Sequence, residues 1–490
     1  MLNNRKPGLL AIDIGTSSIR VTICTKNEGI KGRYVLKHEV NSRFSIDALW
    51  EKVAGLIRDA MNSCSDTQIE AIGICAFLGW VAIDENGSPV DQAWSWNESG
   101  DANEVKHYAA RLSEETPYWI GRAINEELGV FKWGGVLRAN GKKTTILSVK
   151  DYFNYRLTGV LKMDRAHASY TGLFSIQDRE WDERLIDCFD LPKSSIPPLG
   201  EGCERVGIVL DEVAVELGLS ENVTVALSGP DGTMAILGGG GWGIGKTIEV
   251  MGTTDVFFYV TEYIEDETLV SSGLIQNCHV VPGLYVVGGP TGVTGGMMSW
   301  LMKQLNWTFE SDELKQMLEK WDNLTPAADG LYVVPSLTGS RGPDWNPLIR
   351  GTIVGLQPSH TKAELFKATV EGVAFGTRRI VERLENYVDS ISDIIAIGGG
   401  SREVNFLQTR SNVLGRPIIR LQEPEASTIG VLALTGVLVG WYANVGDAVN
   451  KLNPVAGKIL PQRRAQSIYE DLYNEYERLC QWTEKWYRAL

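Results

Sequence analysis

One local pattern, written twice, constrains this chain more than any other feature. "LLAIDIGTSSIRVTICT" over 9–25 and "TIEVMGTTDVFFYV" over 247–260 each set a glycine and its hydroxyl neighbours between two β-like runs. Those runs are apolar or alternating and rich in β-branched residues, which predicts strand, tight turn, strand. The turns are Gly15-Thr16-Ser17 and Gly252-Thr253-Thr254. One such hairpin in each half predicts two similar domains facing each other across a cleft, divided here as 1–242 and 243–490. At 490 residues the chain is long enough to give each domain its own core.

The intervening sequence supplies the other elements of an α/β architecture. Apolar positions at Leu49, Val53, Leu56, Ile57 and Met61 predict an amphipathic helix over 48–63. Further helices are predicted near 101–113, 146–157, 362–386 and 464–489, and "VTVALSGPDGTMAILGGG" predicts strand, turn and short helix. Residues 426–446 hold no charged side chain, and Gly436 and Gly440 form a G-x-x-x-G. Length alone would allow a membrane span, but the many small polar residues predict a helix buried against a sheet.

"GGWGIGKT", 240–247, matches the letters of a phosphate-binding loop. Such a loop works because a helix follows it, and here the next residues predict a strand. A connection between domains fits better, whereas a phosphate-loop ATPase would depend on Lys246. Composition narrows the partners. A net charge of −14 opposes nucleic acid, whose phosphates need a basic surface. Seven scattered cysteines without a C-x-x-C pair fit reduced thiols in a cytoplasmic protein and give no zinc pattern. No apolar leader is visible at the start, and a homodimer is compatible with the sequence.

Chemistry concentrates at the turns. Backbone N–H groups and the hydroxyls of Thr16 and Ser17 can cradle a polyphosphate, and Asp13 offers hard oxygen to Mg²⁺. A plain hairpin with a capping aspartate is the other reading of the same residues. Asp231, in "GPDGT", is placed either to cap the helix that follows or to take a proton from an attacking hydroxyl. "IGGGSREVN", 397–405, could lay a flat ligand on bare backbone.

The order of these blocks resembles the FGGY carbohydrate kinases of the actin-like ATPase superfamily. Asp-x-Gly-Thr, Gly-x-Asp-Gly, Gly-Thr-Thr and Gly-Gly-Gly-x(4)-Asn follow in sequence. The segments "DYFNYRLTGVLKMDRAHASYTGLF", "LTGSRGPDWNPLIRG" and "EPEASTIGVLALTGVL" extend the resemblance almost end to end. It implies two actin-like (ribonuclease H-like) domains, each a mixed β-sheet flanked by helices. It also implies an ATP- and Mg²⁺-dependent kinase for a sugar or polyol, with Asp231 as base. Asp13 and Gly15–Ser17 would then belong to the first phosphate hairpin and Gly252–Thr254 to the second. Gly295, Gly399, Gly400 and Asn405 would contact the nucleotide, and Asp231 and Gly232 the acceptor.

The chain departs from the family on the sugar side. "AFLGW", 76–80, stands where xylulose kinases carry Gln-Met-His-Gly, and Trp96-Asn97-Glu98-Ser99-Gly100 stands for Trp-x-Asp-x-Arg. Trp80, Trp94 and Trp96 either stack on a substrate or are ordinary core, and Asn97 and Glu98 are the other substitute candidates for substrate contact. Absence of the loop arginine argues against an anionic substrate such as gluconate. A nucleotide-binding sensor that has lost transfer chemistry is the alternative.

Overall fold

The structure, a computed structural model, describes residues 5–292, 294–308 and 310–489. The first sheet has six strands: β1 (Lys6–Ile14), β2 (Ser18–Thr25), β3 (Gly29–Lys37), β4 (Thr67–Ala76), β5 (Arg205–Ile208) and β6 (Thr224–Ala226), in the order β5-β6-β4-β1-β2-β3. The second has seven: β7 (Thr247–Met251), β8 (Asp255–Thr261), β9 (Ile275–Cys278), β10 (Tyr285–Gly292), β11 (Ile394–Ile397), β12 (Ile418–Leu421) and β13 (Val455–Ile459), in the order β9-β10-β8-β7-β11-β12-β13.

The duplication predicted from the two hairpins extends through both sheets. β1 pairs antiparallel with β2 and parallel with β4, and β7 pairs antiparallel with β8 and parallel with β11. The hairpin therefore lies in the interior of each sheet, with equivalent neighbours in both.

Strand alternation assigns the faces. Leu10, Ile12 and Ile14 enter the core made with α1 (Ile46–Ser63) and α2 (Val149–Thr158). Leu9 and Ala11 enter the opposite core, with α3 (Asp231–Gly238) and α7 (Ala426–Leu438). A period of two puts Asp13 on this second face, where the site forms. Four further helices matter here: α4 (Thr294–Gln304), α5 (Lys362–Leu384), α6 (Val404–Leu414) and, after α7, α8 (Arg463–Ala489).

Helix α2 starts later than the periodicity suggests. Residues Thr144–Ser148 form a strand of a small separate sheet, and the Ser148 hydroxyl accepts from Asp151 N to start the helix. Within the uncharged 426–446 segment the helix is largely buried through Gly436 and the residues after Leu438 reach the surface, and the helix's closest packing comes from other glycines. A Cβ on Gly238 would lie 1.9 Å from Ala426 O, and one on Gly430 would lie 2.1 Å from Met234 O, so α3 and α7 touch backbone to backbone. Gly440 lies beyond the helix end at φ +73°. Among the described residues no helix is long and apolar enough to cross a membrane.

The sheets divide on either side of residue 242, but the packing crosses that boundary. Cys278 and Tyr285 join an aromatic core made mostly by residues 80–191, and α7 completes the first sheet's second face. All seven cysteines are free.

Candidate active site

A cavity of about 810 Å³ lies between the halves, and the two hairpins meet there. The first turn is short: Ile14 pairs with Ile19, and Gly15 N donates to Ser18 O at 2.9 Å. His38 Nε2 bonds Gly15 O at 2.8 Å, while His38 N and Val40 N donate to Ser17 O and Thr16 O. The turn's carbonyls are thus held from behind. Among the described residues the N–H groups of Thr16 and Ser17 donate to no protein acceptor. Unspent amides at a strand turn suit an anion.

Asp13 lines the cavity beside Gly15. Its Oδ2 accepts from Arg20 Nη1 at 3.1 Å, its cross-strand partner, and from Ser427 Oγ at 2.7 Å. Among the described residues its Oδ1 has only the Cys75 thiol, at 3.5 Å. That leaves a hard oxygen free for a cation or its water shell, so Asp13 fits Mg²⁺. Ser427 stands at the start of α7, 414 residues away in sequence. No local signal could have announced it.

Asp231 is the first residue of α3, with Gly232 N donating to its Oδ1 at 2.7 Å. Pro230 bridges to Ala76, which fixes the turn at the end of β4. Burial against the protein side of the cleft pushes the Asp231 carboxyl up to about 6, and the negative charge of Asp13 adds to the rise. A carboxylate poised near neutrality at a cleft head can exchange a proton with a ligand hydroxyl. Activity that needs the ionised form should therefore fall about tenfold per pH unit below roughly pH 6, read as the acid limb of a kcat/KM profile. A limb near pH 4 would assign the proton elsewhere.

Behind it, Asp164 Oδ2 bonds His167 Nδ1 at 2.6 Å and Lys150 Nζ at 3.0 Å, with Asp151 also on Lys150. The acids and histidine lie close enough to hold a metal, but the Lys150 ammonium already occupies the cation's place. The group is a buried structural ion cluster.

The second half contributes the opposite wall. Gly252 and Thr253 line the cavity, and a Cβ on Gly295 would lie 1.9 Å from Gly252 O. Gly296 N donates to Thr253 O at 3.0 Å, tying α4 to the hairpin tip. Gly398, at φ +87°, turns the chain over Met251 O, while Gly399 and Gly400 also line the cavity. Met298, Met302, Val370, Val373 and Phe406 give this end an apolar wall. Below the tip, Arg410 bonds Asp255 at 2.5 Å and faces Glu249 at 2.9 Å.

Other candidate residues stand apart. Thr16, Ser17 and Thr254 belong to the hairpin tips without lining the cavity. Asn405 donates to Leu318 O at 2.9 Å, so its amide anchors a neighbouring turn. Trp80 is 2 % exposed and packs edge-on to Trp133, in a core and not on the cleft. Trp96 is 38 % exposed, with Asn97 and Glu98 beside it, and Arg341 from the second half lies 6.0 Å from its ring. The 240–247 segment leads straight into β7, with Lys246 over the Trp242 ring, so no helix N-terminus follows the glycines.

Two duplicated α/β lobes each present a turn to one cleft lined by carboxylates, an arrangement able to hold a phosphorylated ligand beside a proton acceptor. Comparison with known proteins agrees. The model of the N-terminal domain of the FGGY family of carbohydrate kinases matches residues 9–238, and that of the C-terminal domain matches 249–439. A xylulose kinase of Staphylococcus epidermidis is 27% identical over 500 residues, covering 98% of both chains. A glycerol kinase of Thermococcus kodakarensis is 26% identical over 516 residues, covering 97% of this chain and 98% of its own. The ligand-bound xylulose kinase structure from Lactobacillus acidophilus superposes with a TM-score of 0.89 at 18% identity over 99% of each chain. The chain belongs to the FGGY family of carbohydrate kinases.

Proposed function

We propose that this kinase moves the γ-phosphoryl group of ATP to a hydroxyl of a sugar or polyol, with Asp231 as general base. The observation that carries the reading is the shared cleft: Asp13, Gly15, Asp231, Gly252, Thr253 and the triple-glycine turn line one cavity. ATP fits with its base and ribose against Gly399, Gly400 and the apolar wall, and its phosphates between Gly15–Ser17 and Gly252–Thr254. Mg²⁺, when bound, would screen the phosphate charge, and Asp13 would hold it directly or through water. The acceptor hydroxyl gives its proton to Asp231 as its oxygen bonds to the γ-phosphorus. The bond from that phosphorus to the bridging oxygen breaks, and ADP leaves.

The test is ADP release from Mg²⁺–ATP across ketoses, aldoses, polyols, sugar acids and furanones. Acceptor-dependent turnover supports the reading; ATP binding without any such turnover would favour the sensor. One observation speaks for the sensor: Phe77, in the loop that in xylulose kinases reads Gln-Met-His-Gly by the family resemblance, is buried against Phe44. The retained Asp231 and its raised carboxyl speak against it.

A further inference from the structure

The two oxygens of Asp13 are treated unequally. Oδ2 accepts from two donors, Arg20 Nη1 at 3.1 Å and Ser427 Oγ at 2.7 Å. Oδ1, among the described residues, meets only the Cys75 thiol at 3.5 Å, and a thiol is a weak donor. Asp13, Arg20 and Ser427 all line the cleft cavity, so the unequal carboxylate faces the space assigned to the nucleotide and its cation.

Arg20 alone does not impose this. It is the cross-strand partner of Asp13, and a guanidinium can grip both oxygens of a carboxylate at once. Here its Nη2 turns instead toward Glu425 Oε2, at 3.4 Å. The shorter of the two bonds to Oδ2 comes from Ser427, and the chain leading to Ser427 is firmly lashed. Glu423 pairs with Arg33 on β3, Glu425 with Arg20 on β2, and Ser427 reaches Asp13 on β1. Alternate residues of one segment thus cross three neighbouring strands. Gly398 N donates to Pro424 O at 2.8 Å, and Arg402 Nη2 lies 3.4 Å from Glu425 Oε1, which joins the same segment to the triple-glycine turn. The position of Ser427 is therefore set from both halves.

We propose that Ser427 is a positioning residue that sets metal selectivity: by occupying Asp13 Oδ2 it leaves one oxygen for the cation and favours Mg²⁺ over Ca²⁺ at the nucleotide. Mg²⁺ keeps several of its waters and holds to a strict octahedron, which suits a single carboxylate oxygen, whereas Ca²⁺ readily takes both oxygens of one carboxylate. A hydroxyl on Oδ2 closes the two-oxygen mode. The inference rests on the reading of Asp13 as the magnesium ligand and deepens it.

The experiment measures, by calorimetry and without acceptor, how tightly the protein binds a non-hydrolysable ATP analogue in its Mg²⁺ and Ca²⁺ forms. The wild-type protein should favour the Mg²⁺ form. Ser427→Ala should cut that preference about 10-fold, the scale of one hydrogen bond to a charged group, mostly by tightening the Ca²⁺ form. Ser427→Thr, which keeps the hydroxyl, should restore it. Ser427 is half-buried in the first turn of a helix, a setting alanine suits. Ser427→Cys, with its weak donor, should lose part of the preference and serves if the alanine variant does not fold. A preference unchanged in folded Ser427→Ala but lost in Asp13→Asn would overturn the proposal and leave Asp13 as the metal ligand. No preference in the wild-type protein, or a loss that Ser427→Thr does not restore, would overturn it as well. A preference that survives Asp13→Asn would sink both the proposal and the metal role of Asp13.

Discussion

Asp231→Ala is expected to lower kcat by about 10²–10⁴-fold, the usual contribution of a positioned general base. The nucleotide dissociation constant should change little, because a general base acts on the acceptor hydroxyl and not on the nucleotide. Asp231→Asn keeps the acceptor oxygen for Gly232 N, and so the start of α3, but cannot take a proton. It should lose as much activity as the alanine variant while melting at the wild-type temperature. Single-turnover phosphorylation beside nucleotide titration separates the two quantities. Near wild-type turnover in either variant would remove Asp231 from the chemistry.

Gly295→Ala should weaken nucleotide binding about 5- to 150-fold. The added carbon would sit 1.9 Å from Gly252 O, a contact with backbone that no rotamer change relieves. Overpacking of this kind costs roughly 1–3 kcal/mol, and each 1.4 kcal/mol is tenfold in affinity. The strain is relieved by moving the start of α4 away from the hairpin tip, which breaks the Gly296 N to Thr253 O bond and opens the wall the phosphates need. Gly376→Ala is the control: its Cβ would meet nothing within 4 Å, so that variant should bind nucleotide normally. Equal affinity in the two variants would show that the approach of α4 to the tip does not shape the phosphate site.

Much of this was legible because it is local. A hairpin is written in consecutive residues, so Gly15–Ser17 and Gly252–Thr254 could be found by alternation and turn chemistry. Asp231, between Pro230 and Gly232, could be found for the same reason, though as either a cap or a base. The sequence left the tryptophans open between core and ring stacking, since Trp80 and Trp96 share an apolar ring and a similar setting in sequence. One is core at 2 % exposure and the other is exposed at 38 %, a difference made by what packs over them. Asn405 carried the right spacing, but its amide is spent on Leu318 O.

The sequence by itself determined that there are two α/β halves, that each is built around a hydroxyl-tipped hairpin, and that one aspartate lies at a turn between them. Strand period, turn residues and helix period all act over a few positions, and that range is enough for those conclusions. Only the tertiary structure decided what surrounds the reacting groups. Ser427 reaches Asp13 across 414 residues. Whether the Asp231 carboxyl sits near 6 depends on burial and on the charges nearby, and those are fixed by packing between distant segments.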